Sequence, residues 1–216
     1  WDPGKIYFLE SDVIGFRKKF ATQLDDMIQK DDCTVIDDVV DVYAKRYQQR
    51  QKLIAKLINK KFDFTKDEYM AIDRKKMKWA KTNEEIESRW RKRIKFSTLQ
   101  LNNTLKDITK VREKLKKRYA LALKRHNGLS SDDAYSSFLN AFSNSLDPHS
   151  TYMAPEQLED FRISTRLSLE GIGAVLRSED GFTTIQSLVP GGAAFKTKKV
   201  KTEDKIIAVA QGAEAP

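Results

Sequence analysis

Residues 167–176, Leu-Ser-Leu-Glu-Gly-Ile-Gly-Ala-Val-Leu, set the strongest constraint on what this chain can fold into. Two glycines flank one apolar residue, and an apolar run follows at once. Lacking a Cβ, Gly171 and Gly173 admit backbone conformations that turn successive N–H groups toward one point. A strand that starts directly after such a loop can offer its edge to another extended chain. The stretch therefore predicts a receptor for a peptide carboxylate. Its parts are a loop of Glu170, Gly171, Ile172 and Gly173 and a strand opening with Ala174, Val175 and Leu176. Taken alone, the same residues also fit a tight loop with no ligand.

The residues before it read as helices joined by polar loops, so the fold class is mainly α, with a β-rich segment after residue 160. Ser11 is expected to cap a first helix carrying Phe16, Phe20, Leu24 and Ile28 at helical spacing. Thr34 with Asp37 opens a second that runs to Asn59, placing Val39, Tyr43, Tyr47, Ile54 and Ile58 on nearby faces. Its Lys45, Arg46, Arg50, Lys52 and Lys56 are expected to form a basic outer stripe. Over residues 60–81 the period fades. Phe62, Phe64, Tyr69, Met70 and Trp79 read as anchors that pin a long connection onto the helices, although aromatics among lysines and arginines can also stack nucleobases. Thr82-Asn-Glu-Glu85 has the form of a capping box and opens a helix with Ile86, Trp90 and Ile94 on one face. Thr104 is expected to cap the next, with Ile108, Val111, Leu115 and Tyr119 inward and Asn127-Gly128 as a left-handed stop. Ser130 with Asp133 starts a short helix bearing Ala134, Phe138 and Phe142.

Charge and rare residues narrow the function classes. Forty Lys and Arg stand against 31 Asp and Glu, a formal net charge of +9. The two signs interleave, which reads as solvated helix faces with i,i+4 pairs, so no nucleic-acid partner is expected. The lone cysteine, Cys33, forbids an intrachain disulfide and reads as an incidental thiol; it fits either a cytosolic or a periplasmic compartment. No apolar run approaches the roughly 20 residues needed to span a bilayer, so no transmembrane segment is expected. No signal peptide is recognised, and the abrupt Trp1-Asp-Pro-Gly start and Ala-Glu-Ala-Pro216 end suggest a chain cut from something longer. His126 and His149 stand far apart with no ligand spacing around them, so neither a metal nor another cofactor is expected.

Leu146-Asp-Pro-His-Ser-Thr-Tyr-Met-Ala-Pro-Glu156 is the sharpest short motif. Asp147, as the residue before Pro148, ends the preceding helix. Pro155 suits the first turn of a new one, with Glu156, Glu159 and Asp160 near its positive end. Asp147, His149 and Ser150 invite comparison with a hydrolytic triad, but they crowd one turn too closely to form the relay.

That motif and residues 168–176 together resemble the carboxy-terminal processing peptidases, and more closely their tail-specific protease branch of Gram-negative periplasms. Similarity extends to residues 5–12, residues 62–65, the Asp73-Arg74 pair, Trp79, and Trp90 with Lys95-Phe96, so it covers essentially the whole chain. The resemblance implies a helical N-terminal domain over 1–160, then a PDZ domain begun at 161 and incomplete at 216. A protease core would follow, with a serine activated by a lysine. It places no catalytic residue in this chain. It also implies a periplasmic location, protein substrates with exposed apolar C-termini, and a periplasmic adaptor protein as a further partner. Residues 170–176 become the carboxylate loop and peptide-pairing strand. Residues 177–181 become a hairpin turn, 182–189 a second strand, 190–194 the turn into a short helix, and 204–209 the next strand. Glu203 departs from the pattern, standing where a Gly-Asp turn is usual. A non-catalytic helical adaptor with a degenerate PDZ module is the alternative from another functional class.

Overall fold

The computed structural model describes residues 1–74, 76–166, 171–179 and 181–209. They form two compact units, Trp1–Tyr152 and Met153–Pro216. The first is all helical: α1 (Glu10–Phe20), α2 (Leu24–Gln29), α3 (Thr34–Asn59), α4 (Asn83–Leu105), α5 (Ile108–Asn127) and α6 (Ser131–Leu146). The second holds α7 (Pro155–Thr165), β1 (Ala174–Glu179), β2 (Phe182–Leu188), α8 (Ala193–Thr197) and β3 (Lys205–Ile206). The chain is thus mainly α with a small β-rich part, as its periodicity predicts.

Four-residue spacing builds the main core of the first unit. Ile86, Trp90, Ile94 and Thr98 are all buried on α4, and Val111 and Leu115 are fully buried on α5. Ile54, Leu57 and Ile58 of α3 close the cluster. Each large apolar side chain so placed contributes about 1.5–3 kcal/mol relative to exposure. A second cluster joins Phe20, Met27, Val35, Ile36 and Ala134, tying α1, α2 and α6 to the start of α3.

The segment before α1 has no regular structure, yet it is held on both sides of its backbone. The buried Asp2 carboxylate accepts the N–H groups of Ile6 (3.1 Å), Tyr7 (2.8 Å) and Phe8 (3.0 Å). The carbonyls of Lys5, Ile6 and Tyr7 accept from Arg89, Trp90 and Arg50 at 2.7, 2.9 and 3.3 Å. Around it lies an aromatic cluster in which Tyr7 stacks on Tyr47 and meets Tyr43 and Trp90 edge-on. The connection over residues 60–82 is pinned by the same logic: Glu68 pairs with Arg91 and Lys95 of α4, and Lys92 donates to the Tyr69 carbonyl at 3.0 Å. Those two cations hold the Glu68 carboxyl down at about 2. Its only bridge to regular pairing is between Leu9 and Ala80 among the described residues.

Several local expectations are corrected. The first helix breaks after Phe20 and restarts at Leu24. Ser11 is not its cap; the Asp12 carboxylate folds back to accept the Leu9 N–H at 2.9 Å. α3 does span Thr34–Asn59, but two members of its expected outer stripe turn inward. Arg46 grips Asp12 through two 2.8 Å bonds, and Arg50 is buried. Thr104 lies in the last turn of α4, which Lys106 ends in a left-handed conformation (φ 52°). Asp107 caps α5 instead, accepting from Thr109 and Lys110, while Ile108 stays exposed. Gly128 has φ −92°, so α5 ends without the expected left-handed residue. Thr82 and Ser130 are N-caps as expected.

Candidate functional site

The second unit carries the residues of the expected receptor loop and strand. Its sheet has the order β1-β2-β3, all antiparallel, which leaves β1 at an edge among the described residues. β1 pairs with β2 from Ala174↔Leu188 to Glu179↔Phe182, with a register shift between Val175 and Leu176. Ile185 and Thr184 on β2 are buried, whereas Ile172, Val175 and Leu176 are about half exposed. An edge strand fronted by exposed apolar groups is the arrangement that strand addition requires.

The loop before β1 is set by the turn after β2. The Gly173 carbonyl accepts the Val189 N–H at 2.8 Å, and the Ile172 carbonyl accepts the Ala194 N–H at 2.8 Å. Gly173 has φ +71°, and a Cβ placed there would come within 2.9 Å of the Gly192 Cα. Glycine is therefore needed at Gly173 for both conformation and space. With their carbonyls engaged inward, the N–H groups of Ile172 and Gly173 donate to no acceptor among the described residues. Two adjacent amides without a described acceptor, beside an edge strand, can receive an anionic oxygen pair. Of the predicted site residues, Gly171, Ile172, Gly173, Ala174, Val175 and Leu176 thus lie together on one loop and strand, while Glu170 lies outside the described residues. The clasp by Val189, Gly192 and Ala194 was not anticipated as part of the site; the Pro190-Gly-Gly-Ala sequence was its only signal.

The hairpin lies where its sequence signal places it, but its turn is tighter than residues 177–181: Arg177, Ser178 and Glu179 belong to β1 and pair with Thr184, Thr183 and Phe182. Regular pairing of the third strand covers only Lys205–Ile206 among the described residues. Glu203 takes φ +73°, the left-handed conformation that favours glycine. Its N–H donates to the Ile185 carbonyl at 2.9 Å and its carboxylate accepts from Arg177 of β1 at 2.8 Å, which holds the turn in place.

The cluster at the end of α6 has no nucleophile geometry. Ser150 Oγ and the His149 ring both lie on Asp147, at 3.1 and 3.5 Å, rather than on each other. His149 is almost fully exposed, so the group forms a turn and not a relay. No set of three His, Cys, Asp or Glu could hold a metal among the described residues. No described helix is long and apolar enough to cross a membrane.

Comparison with known proteins bears on the chain's family. Residues 1–156 match the family described as the tail specific protease N-terminal domain. The chain is 37% identical over 204 residues to a "Tail-specific protease" of Haemophilus influenzae, covering 94% of this chain and 29% of that protein. It is 43% identical over 63 residues to "Carboxy-terminal processing protease CtpA" of Bacillus subtilis, 29% of this chain and 13% of that protein. The chain therefore spans under a third of the length of these relatives.

Proposed function

Since the chain belongs to the tail-specific protease family through its N-terminal domain, we propose that it is the substrate-recruiting part of a periplasmic serine endopeptidase. The second unit acts as the opening part of a PDZ domain. A substrate's C-terminal segment adds to the free edge of β1, and its carboxylate settles on the N–H groups of Ile172 and Gly173. Ile172 and Val175, both exposed, meet the last apolar side chains. The helical unit carries this edge, and an adaptor protein in the periplasm is a further partner.

The observation that carries the reading is the clasped loop: Gly173 at φ +71°, its carbonyl and that of Ile172 bonded to β2's following turn, and the two amides without an acceptor among the described residues. Cleavage itself would belong to a serine and a lysine outside this chain, the lysine acting as base in its neutral form. Titration of the chain with a short apolar peptide, followed by amide NMR, tests the proposal. Shifts at Ile172, Gly173 and Val175 that vanish when the peptide is amidated at its C-terminus, or when Gly173→Asp is introduced, support it. Cleavage of an unstructured protein by the purified chain, or shifts indifferent to amidation, would count against it.

A further inference from the structure

The helical unit holds a cavity that the strand-addition site does not use. It measures about 430 Å³ and lies between the N-terminal segment, the 60–82 connection and helices α3, α4 and α5. Arg74, Arg93 and Arg118 line it, and no acidic side chain does. None of the three makes an ion pair among the described residues. Arg93 instead lies over the Trp90 ring at 5.6 Å. Three guanidinium groups without an ion-pair partner among the described residues, around one aromatic-walled cavity, make a strong receptor for a carboxylate with an apolar body.

The cavity opens into a groove. Met70, Arg74 and Phe96 line both the cavity and a neighbouring apolar groove of about 580 Å³ that runs under residues 64–72. Tyr69 and Ile72 stand 87% and 91% exposed at its rim, far beyond what a solvated loop needs from large apolar side chains. Besides the shared Arg74, the groove's charged lining carries both signs, Lys66, Lys92 and Lys95 against Asp67 and Glu68, and Glu68 pairs with Lys95. Both signs thus line the groove, whereas cations alone are the charged groups that line the cavity it joins.

We infer that this cavity and groove form a second binding site, which takes the free carboxylate and apolar last residues of a polypeptide. The carboxylate sits among Arg74, Arg93 and Arg118, the terminal side chain against Trp90 and Tyr119, and the preceding residues along Phe96 and Tyr69. Charge complementarity selects this occupant: along the groove a polyanion would meet the Asp67 and Glu68 carboxylates, whereas an apolar tail with a single terminal charge places that charge only where cations stand without acids. The inference does not rest on the strand-addition reading, since its residues belong to a different compact unit.

Fluorescence anisotropy with a labelled apolar peptide tests it in the Gly173→Asp background, where the strand-edge site is disabled. The free-carboxylate peptide should still bind, and its amidated twin should bind roughly tenfold to a hundredfold more weakly. Adding Arg118→Glu, an exposed position that supports no core contact, should produce a similar loss, and Arg93→Gln should do so too. Binding that disappears with Gly173→Asp alone, that ignores amidation, or that survives both arginine variants would overturn the second site. So would the absence of any binding. Arginine-dependent capture of phosphatidylglycerol vesicles without peptide binding would overturn the peptide as occupant.

Discussion

The indole Nε1 of Trp90 donates to the main-chain carbonyl of Ile6 at 2.9 Å, across 84 residues of sequence. Trp90 is 1% exposed and also meets Tyr7 and Tyr119 edge-on, so one side chain joins the N-terminal segment to α4 and α5. Trp90→Phe keeps most of the ring but leaves a buried carbonyl without its donor. The expected loss is about 1–3 kcal/mol. All three tryptophans (Trp1, Trp79 and Trp90) lie in the first unit, so fluorescence during urea unfolding reports on that unit by itself. A midpoint equal to that of the unaltered chain would show that the bond contributes nothing.

The same segment depends on Asp2 from its other side. Asp2→Ala removes the acceptor of three N–H groups in one step and should cost about 2–3 kcal/mol. Because Asp2 and Trp90 fix one short stretch of backbone, their losses should not add. The double variant is expected to fall short of the sum by at least about 0.5 kcal/mol. Strict additivity in the urea series would mean that the two anchors act independently.

Some of this was legible in the residues and some was not, for physical reasons. Ile86, Trp90 and Ile94 announce a buried face because helical period and burial are written in the same spacing, and Thr82 announces the start because its side chain is the cap. Asp2 was legible only as a turn former: nothing in Asp-Pro-Gly tells that its carboxylate will be buried under later residues. Arg46 and Arg50 read as solvent-facing because a cation's partner, here Asp12 or the Tyr7 carbonyl, is fixed by tertiary packing. The boundary between α4 and α5 shifted from Thr104 to Asp107 because Lys106 adopts a backbone conformation that lysine does not advertise. In the candidate site, Gly173 was legible because only glycine meets its demands. The clasp by Val189 and Ala194 was not, since a backbone bond to a distant loop leaves no mark on side-chain identity.

Acid should weaken the first unit through Asp12. Burial alone would raise its carboxyl, but the Arg46 hydrogen bonds, the Leu9 N–H and the Arg46 charge outweigh that and hold it below its ordinary value. A carboxyl more acidic folded than unfolded stabilises fully above roughly pH 4, and that contribution fades as pH falls through the folded value. Arg46→Met should therefore cost about 2 kcal/mol near neutrality and progressively less on acidification. Urea midpoints of the two chains across a pH series check this. A gap that stays constant into strong acid would remove Asp12 as the source.

Lys106 offers a gain. Its φ of 52° ends α4 in a conformation that costs an L-residue about 1–2 kcal/mol and a glycine almost nothing. After the glycine's greater freedom in the unfolded chain is subtracted, Lys106→Gly should stabilise by roughly 0.5–1 kcal/mol. Lys114→Gly, in the exposed middle of α5, should do the reverse by about 1 kcal/mol. Equal losses from both substitutions would show that Lys106 is not strained.

Gly173 provides the last test, because there conformation and space act together. Gly173→Ala puts a methyl group 2.9 Å from the Gly192 Cα and holds an L-residue at φ +71°, so the loop must move away from the turn that clasps it. The bonds that report on this are the Val189 and Ala194 N–H groups, whose acceptors are the carbonyls of Gly173 and Ile172. Weakening the clasp by about 1.4 kcal/mol raises local opening tenfold, so both amides should exchange with deuterium roughly tenfold faster or more. Amides in the α4 core, such as that of Ile94, should keep their rates, since they belong to the other unit. Unchanged exchange at Val189 and Ala194 would mean that the loop accepts a Cβ without loosening. The requirement for glycine, and with it the argument that the clasp orients the Ile172 and Gly173 amides, would then fall.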